Sequence, residues 1–202
     1  EYVVFQKRTQ AVPVVAFMRP DYFSQIVVMA DSPYQLPADL RGEKVAFGDV
    51  GSTSQHLGPA QVLADFGLVA GKDYQSINIS RNIAVEAMVR GDVAAVGMNF
   101  THLQRIRKAF PEQKFRVVAR GRDLPDDLLL AGAHVPAETV EEIRALFLNN
   151  ERALMDAMLT GEDNQKFSGG GFRTGVKDSD YNYVRSMYAT IGYPEYAEFV
   201  GE

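Results

Sequence analysis

The stretch Lys44-Val45-Ala46-Phe47-Gly48-Asp49-Val50-Gly51-Ser52-Thr53-Ser54 passes from a short apolar run, through a turn bounded by glycines, to three consecutive hydroxyl residues. Beyond it, Leu57, Val62, Leu63 and Phe66 recur at helical spacing. The pattern predicts a strand, a turn and a helix whose first turn carries Ser52, Thr53 and Ser54. A helix start is an anion site in waiting, because its leading backbone N–H groups have no partner within the helix and the macrodipole is positive there. Three hydroxyls add donors at the same place without adding charge. Ser and Thr are also the commonest helix caps, and a cap satisfies those same N–H groups. The triplet therefore reads as a cap, as an anion cradle, or as both.

Working outward, strand-like runs recur at Val12–Phe17, Gln25–Ala30, Val45–Phe47, Val93–Val96, Phe115–Ala119 and Leu128–Ala131. Several are continuous rather than alternating, as in strands covered on both faces. Helical patterns fill the intervals at 54–66, 82–90, 100–109, 138–149 and 179–191. In the last, Tyr181, Val184, Met187, Tyr188 and Ile191 share one face, with Asp178 or Ser179 as cap. This alternation predicts an α/β fold with mostly parallel pairing. After residue 130 the chain reads as almost wholly helical, with Val140, Ile143, Phe147, Leu154 and Met158 as inward candidates, and strands for that tail to cover are under-supplied. The opening Tyr2-Val3-Val4-Phe5 reads as the middle of a fold, and Ser168-Gly169-Gly170-Gly171 as a flexible loop without the Lys-Ser/Thr of a phosphate loop.

Composition narrows the function. With 202 residues, 46% hydrophobic and 23% charged, the chain has the make-up of a globular protein with one large or two small cores. A net charge of −5 and scattered basic residues argue against a nucleic-acid partner. Arg105, Arg107 and Lys108 read as one solvated helix face. Cysteine is absent, which removes disulfides, thiolate metal sites and cysteine nucleophiles together. His56, His102 and His134 lack metal-ligand spacing and read as surface or capping residues, and no Gly-x-Ser-x-Gly elbow is present. No apolar run is long enough to span a membrane, and the first residues have neither the basic region nor the cleavage site expected of a signal peptide. No cofactor is expected.

Taken in order, these segments resemble a known family. Asp39-Leu40-Arg41-Gly42-Glu43-Lys44-Val45-Ala46-Phe47-Gly48-Asp49 followed by Ser52-Thr53-Ser54 is similar to a signature segment of phosphonate-binding proteins, the periplasmic solute receptors of ABC transporters. Tyr22 to Val28 with Asp31-Ser32, Ala87 to Ala95, Arg116-Val117-Val118 with Leu124-Pro125-Asp126-Asp127, and Asp180 to Arg185 resemble further family segments in the same order. The resemblance implies a two-lobed α/β fold of the type II periplasmic-binding-protein kind, with halves that close on the ligand. Lobe one would comprise 1–24 and 123–202, lobe two 25–122, and the first lobe would lack the strand-helix-strand section with which such receptors usually begin.

The resemblance also implies site roles. Ser52, Thr53 and Ser54 correspond to residues that receive phosphonate oxygens, although Gln55-His56 follows where the family usually has Gly. Arg81 stands where many relatives have a ligand-touching histidine; it either pairs with two oxygens or is a solvated helix-start residue, with Asn82 as the neighbouring alternative. Asp127 matches a carboxylate that reads an amino substituent, or is a turn residue after Pro125. Thr101 stands where aminophosphonate receptors carry a glutamate, which makes an amino-bearing ligand less favoured. Tyr22 lines the cleft or packs in a core, and Asn99 borders the site. The expected function is a non-enzymatic receptor, periplasmic or lipid-anchored and extracytoplasmic, for a phosphonate, phosphite or phosphate; it serves an ABC permease and does not itself insert in the membrane. The rivals are the ligand-binding sensor domain of a signalling receptor and an α/β enzyme acting on a phosphorylated metabolite.

Overall fold

In the computed structural model, residues 1–201 are described, and they divide into two compact units. Unit 2 holds Tyr22–Leu124 and Ser186–Ala197; unit 1 holds Glu1–Asp21, Pro125–Arg185 and the stretch from Glu198. The segment 186–197 thus groups with unit 2, and the division falls inside a single helix.

Unit 2 is built on a five-stranded sheet. Its strands are β2 (Phe23–Met29), β3 (Lys44–Phe47), β4 (Gln75–Asn78), β5 (Ala95–Asn99) and β6 (Phe115–Asp123), in the order β4-β3-β5-β2-β6. Strand alternation sorts side chains to two faces. Ile26, Val28, Val45 and Phe47 meet Val62, Leu63 and Leu68 from α2 (Gly58–Asp65) and the turn after it. Val27, Ala46, Val96 and Met98 meet Ala84, Val85 and Met88 of α3 (Arg81–Arg90) and Leu103 and Ile106 of α4 (Phe100–Ala109). Both faces are covered, which is why these strands read as unbroken apolar runs.

Pairing is mixed rather than mostly parallel. β3 runs parallel to β4 and β5, whereas β2 is antiparallel to both β5 and β6. The reason is that β2 and β6 bring the chain into and out of the unit side by side, with Phe23 opposite Asp123 and the Leu124 N–H donating to the Tyr22 carbonyl at 2.7 Å.

Unit 1 centres on a three-stranded antiparallel sheet, β7-β1-β8, of β1 (Val12–Phe17), β7 (Asp127–Ala131) and β8 (Phe172–Arg173). The residues 2–9 form a helix, α1 (Tyr2–Thr9). Helices α5 (Ala137–Asn149) and α6 (Glu151–Met158) supply Val140 and Met155 to a core with Val14, Val15, Ala131, Phe167 and Phe172. The Phe17 ring sits among Phe147, Phe167 and Phe172 with centroids 5.9, 6.0 and 5.3 Å away. The last helix, α7 (Asn182–Thr190), buries Val184, Met187 and Tyr188 as its spacing predicts.

The glycine-rich loop at 168–171 is pinned rather than flexible. Met18 N–H donates to the Gly171 carbonyl at 2.8 Å, and a Cβ on Gly170 would collide with the Met18 carbonyl. Glycine there permits the backbone approach that starts β8. No helix among the described residues is long and apolar enough to cross a membrane.

Sheet and helix also pack closely at Gly97 on β5, where a Cβ would strike Pro59 and lie 2.7 Å from Phe47 Cδ1. Gly97→Ala is expected to cost about 1–3 kcal/mol through overpacking, read as a lower denaturant midpoint with an unchanged slope. An unaltered midpoint contradicts this packing.

Candidate functional site

Three parallel strands of unit 2 end at the same edge of the sheet, and a helix follows each of them. In open α/β sheets this carboxyl edge is where ligands bind. The three helix starts are not equivalent. Asn99 caps α4, its Oδ1 accepting the His102 N–H at 2.8 Å. The starts after β3 and β4, by contrast, have Ser52 and Ser80 at the cap position and no side-chain capping bond at either.

The start after β3 has an unusual shape. Thr53–Leu57 is a π-turn that leads into α2, with the Leu57 N–H donating to the Ser52 carbonyl at 3.0 Å. The expected helix over 54–66 therefore opens one residue wider than an α-turn, a feature common at functional sites. Ahead of it, Gly51 takes φ +86°, which only glycine adopts at little cost, and its N–H donates to His56 Nδ1 at 3.2 Å. Close packing fixes the turn from below, because a Cβ on Gly58 would collide with Ser24 Oγ and stand 2.7 Å from the Thr53 carbonyl.

Within the triplet the roles separate. Ser54 is buried and its Oγ accepts from Asn99 Nδ2 at 3.0 Å. Asn99 thus joins the start of α4 to the triplet, more than bordering it. Ser52 and Thr53 are half-buried, and their hydroxyls make no hydrogen bond among the described residues. Hydroxyls both donate and accept, so they serve a fully ionised or a singly protonated oxyanion.

Arg81, the first residue of α3, is half-buried and donates from Nε to Gln55 Oε1 at 3.1 Å. The triplet, Gln55, Arg81 and Asn99 therefore lie along one edge of unit 2. Asn82 is exposed, and Thr101 is half-buried in the first turn of α4. Tyr22 is buried in unit 2. Asp127 belongs to unit 1, where it opens β7 with Arg19 Nη1 at 3.8 Å and Lys166 Nζ at 4.0 Å from its Oδ2. It is a strand residue flanked by two cations, not a simple turn residue.

Two histidines depart from the surface role expected of them. His56 is buried, and burial lowers its pKa, so the ring is neutral with Nδ1 as acceptor. His102 is 4% exposed, and neither ring nitrogen has a hydrogen-bond partner. Burial above all, then the charges of Arg81 and Arg105, push its pKa down from 6.5 to about 3. It stands in the wall of a pocket of about 610 Å³ between α3 and α4, with Gln55, Arg81, Asn82 and Arg105. Nothing in the sequence marked His102 or the Gln55–Arg81 bond, since both arise from contacts between separate helices.

Comparison with known proteins shows the family and the fold. A family model described as "ABC transporter, phosphonate, periplasmic substrate-binding protein" matches residues 1–181. Among solved structures, XAC2383 from Xanthomonas citri, bound to ATP, aligns with TM-score 0.73 at 17% identity over 98% of this chain and 77% of its own. PhnD1 from Prochlorococcus marinus, in complex with methylphosphonate, aligns at 0.67 with 15% identity over 93% of this chain and 74% of its own. A binding-protein component of an ABC phosphonate transporter from Pseudomonas aeruginosa aligns at 0.60 with 20% identity over 88% and 60%. At these identities the likeness is one of fold, the two-lobed α/β fold of type II periplasmic binding proteins.

The neutral, unpartnered His102 has a measurable consequence. Its folded-state pKa lies below the unfolded value of 6.5, so between about pH 3 and 6.5 the unfolded chain binds the extra proton. Its contribution to stability is complete above that window and is lost as pH falls through it. Replacing it with an apolar residue, His102→Leu, should flatten the fall in melting temperature between pH 7 and pH 4. An identical pH slope in parent and variant contradicts a buried neutral ring.

Proposed function

The chain belongs to the family of phosphonate-binding periplasmic substrate-binding proteins of ABC transporters, and from that premise we propose that it is an extracytoplasmic receptor for a phosphorus oxyanion, which it delivers to a transporter permease. Phosphonate, phosphite and phosphate are the ligands in view. Members of this family are solute-binding proteins, not enzymes. The observation that carries the reading is the uncapped helix start at the end of β3, where the Ser52 and Thr53 hydroxyls have no hydrogen-bond partner among the described residues and a guanidinium stands beside the turn.

Each part suits a tetrahedral oxyanion. The leading N–H groups and the dipole favour negative charge. Ser52 and Thr53 offer hydroxyls on one side, and Ser54 carries its hydroxyl further in, held by Asn99. Arg81 supplies a permanent positive charge with a planar fork that pairs with two oxygens. The protein as a whole is negative, at −5, so attraction of an anion depends on this local arrangement. Asp127, in the proposal, does not recruit an amino group, because Arg19 and Lys166 already balance it. With Thr101 in place of a second carboxylate, a ligand without an amino group is favoured. Tyr22 contributes through packing rather than through direct contact.

A thermal-shift panel of phosphate, phosphite, methylphosphonate, 2-aminoethylphosphonate and sulfate tests the reading. A ligand that binds only the folded state at about 100 times its Kd stabilises by about 2.7 kcal/mol. At least one amino-free phosphorus oxyanion should raise the melting temperature, and Ser52→Ala with Thr53→Ala should abolish most of the rise. A flat panel, or equal shifts in the double variant, contradicts the assignment.

A further inference from the structure

We propose that Gln55 is a positioning residue that orients the Arg81 guanidinium for the oxyanion, so that charge selection in the cradle is set by a residue that does not itself touch the ligand. The inference rests on the reading of the triplet as an oxyanion site and adds a part to it.

The geometry around Gln55 is over-determined. Its backbone carbonyl accepts the Gly48 N–H at 2.9 Å, and its side chain lies directly over Gly48, where a Cβ would come within 2.5 Å of Oε1 and 2.8 Å of the Gln55 Cβ. Gly48 is itself held from the other side, since its carbonyl accepts from Asn78 Nδ2 at 2.9 Å at the end of β4. Strand ends β3 and β4, the π-turn and the start of α3 are thus linked by Asn78, Gly48, Gln55 and Arg81. The last link is the 3.1 Å bond from Arg81 Nε to Gln55 Oε1.

That bond has a directional effect. A guanidinium is planar, so holding Nε fixes the plane in which the Nη donors lie. An arginine on an exposed helix start otherwise samples many rotamers, and a ligand that recruits it must suppress them. Here the ordering is done before the ligand arrives, which is the general route by which preorganisation raises affinity. Gln55 suits the task because its amide oxygen accepts without adding a negative charge. A carboxylate at the same point would neutralise Arg81. Glutamine follows the hydroxyl triplet directly, so the acceptor and the hydroxyls belong to the same turn.

The test is a thermodynamic cycle on the whole chain, with calorimetric titration of methylphosphonate and inorganic phosphate. Gln55→Met removes the acceptor at nearly constant volume, Arg81→Gln removes the charge, and the third variant combines them. Gln55→Met should weaken binding about tenfold, and the double variant should bind no more weakly than Arg81→Gln alone, because residues that act through one another are not additive. The advantage of the doubly ionised probe over the singly ionised one, read from a pH profile, should shrink in Gln55→Met and vanish in Arg81→Gln. A merely structural glutamine would lower affinity for both ionisation states alike. As a check independent of stability, the Arg81 Nε–H resonance should be slow to exchange in the ligand-free parent and fast in Gln55→Met. Additive losses, or a parent whose Arg81 Nε–H exchanges as fast as an exposed arginine's, overturn this inference alone. A parent that binds neither probe overturns both it and the reading beneath it.

Discussion

Strand β3 is buried on both faces and runs parallel to a neighbour on each side, so at Phe47 the chain has no open edge to follow and must climb out of the sheet. Everything distinctive about the site depends on that constraint. The exit through Gly48, Asp49, Val50 and Gly51 is short, and it delivers the chain to a helix start directly above the strand end. Parallel pairing also places the exits from β4 and β5 alongside. Three helix starts then share one edge, and they differ in capping: Asn99 caps α4, whereas the starts after β3 and β4 have no side-chain capping bond.

Those differences are built from few side chains. Asn99 satisfies the start of α4 with its oxygen and holds Ser54 with its nitrogen, so one amide serves two elements. Gly58 allows the π-turn to settle onto Ser24, and His56 holds the loop before it by accepting from Gly51. The wider π-turn leaves Ser52 and Thr53 on the half-exposed side and Ser54 on the buried side. Positive charge is then supplied from the next helix by Arg81. His102, close to Arg81 and Arg105, is kept neutral by burial and so adds no proton-dependent charge beside them near neutral pH.

Much of this is legible in the amino-acid sequence, and the reasons are specific. Val12–Phe17 and the runs within β2, β3, β6 and β7 are apolar because they supply the cores of the two units, so they announce themselves. Strand β4 does not: Gln75-Ser76-Ile77-Asn78 is an edge strand with little buried surface, and its polar residues read as loop. Strand β8 is two residues long and is made by packing of the glycine loop rather than by its own pattern. The π-turn was hidden because one extra residue scarcely disturbs the spacing of Leu57, Val62 and Leu63. The predominance of antiparallel pairs was hidden for another reason, since strand direction is set by how the chain crosses between units and leaves no mark on local composition. The hydroxyl triplet and Arg81 were visible as residue types, whereas Gln55 and His102 matter only through contacts across tens of residues.

In the proposed function the opening turn after β3 receives the oxyanion through its backbone and hydroxyl donors. Backbone amide resonances report that most directly, because a hydrogen bond to an anion moves the N–H signal downfield. In a titration of the isotopically labelled chain with methylphosphonate or phosphate, whichever binds, the account predicts the largest downfield shifts at the Thr53, Ser54 and Gln55 amides, with the Arg81 Nε–H following. Saturable binding that leaves those three amides in place would contradict it.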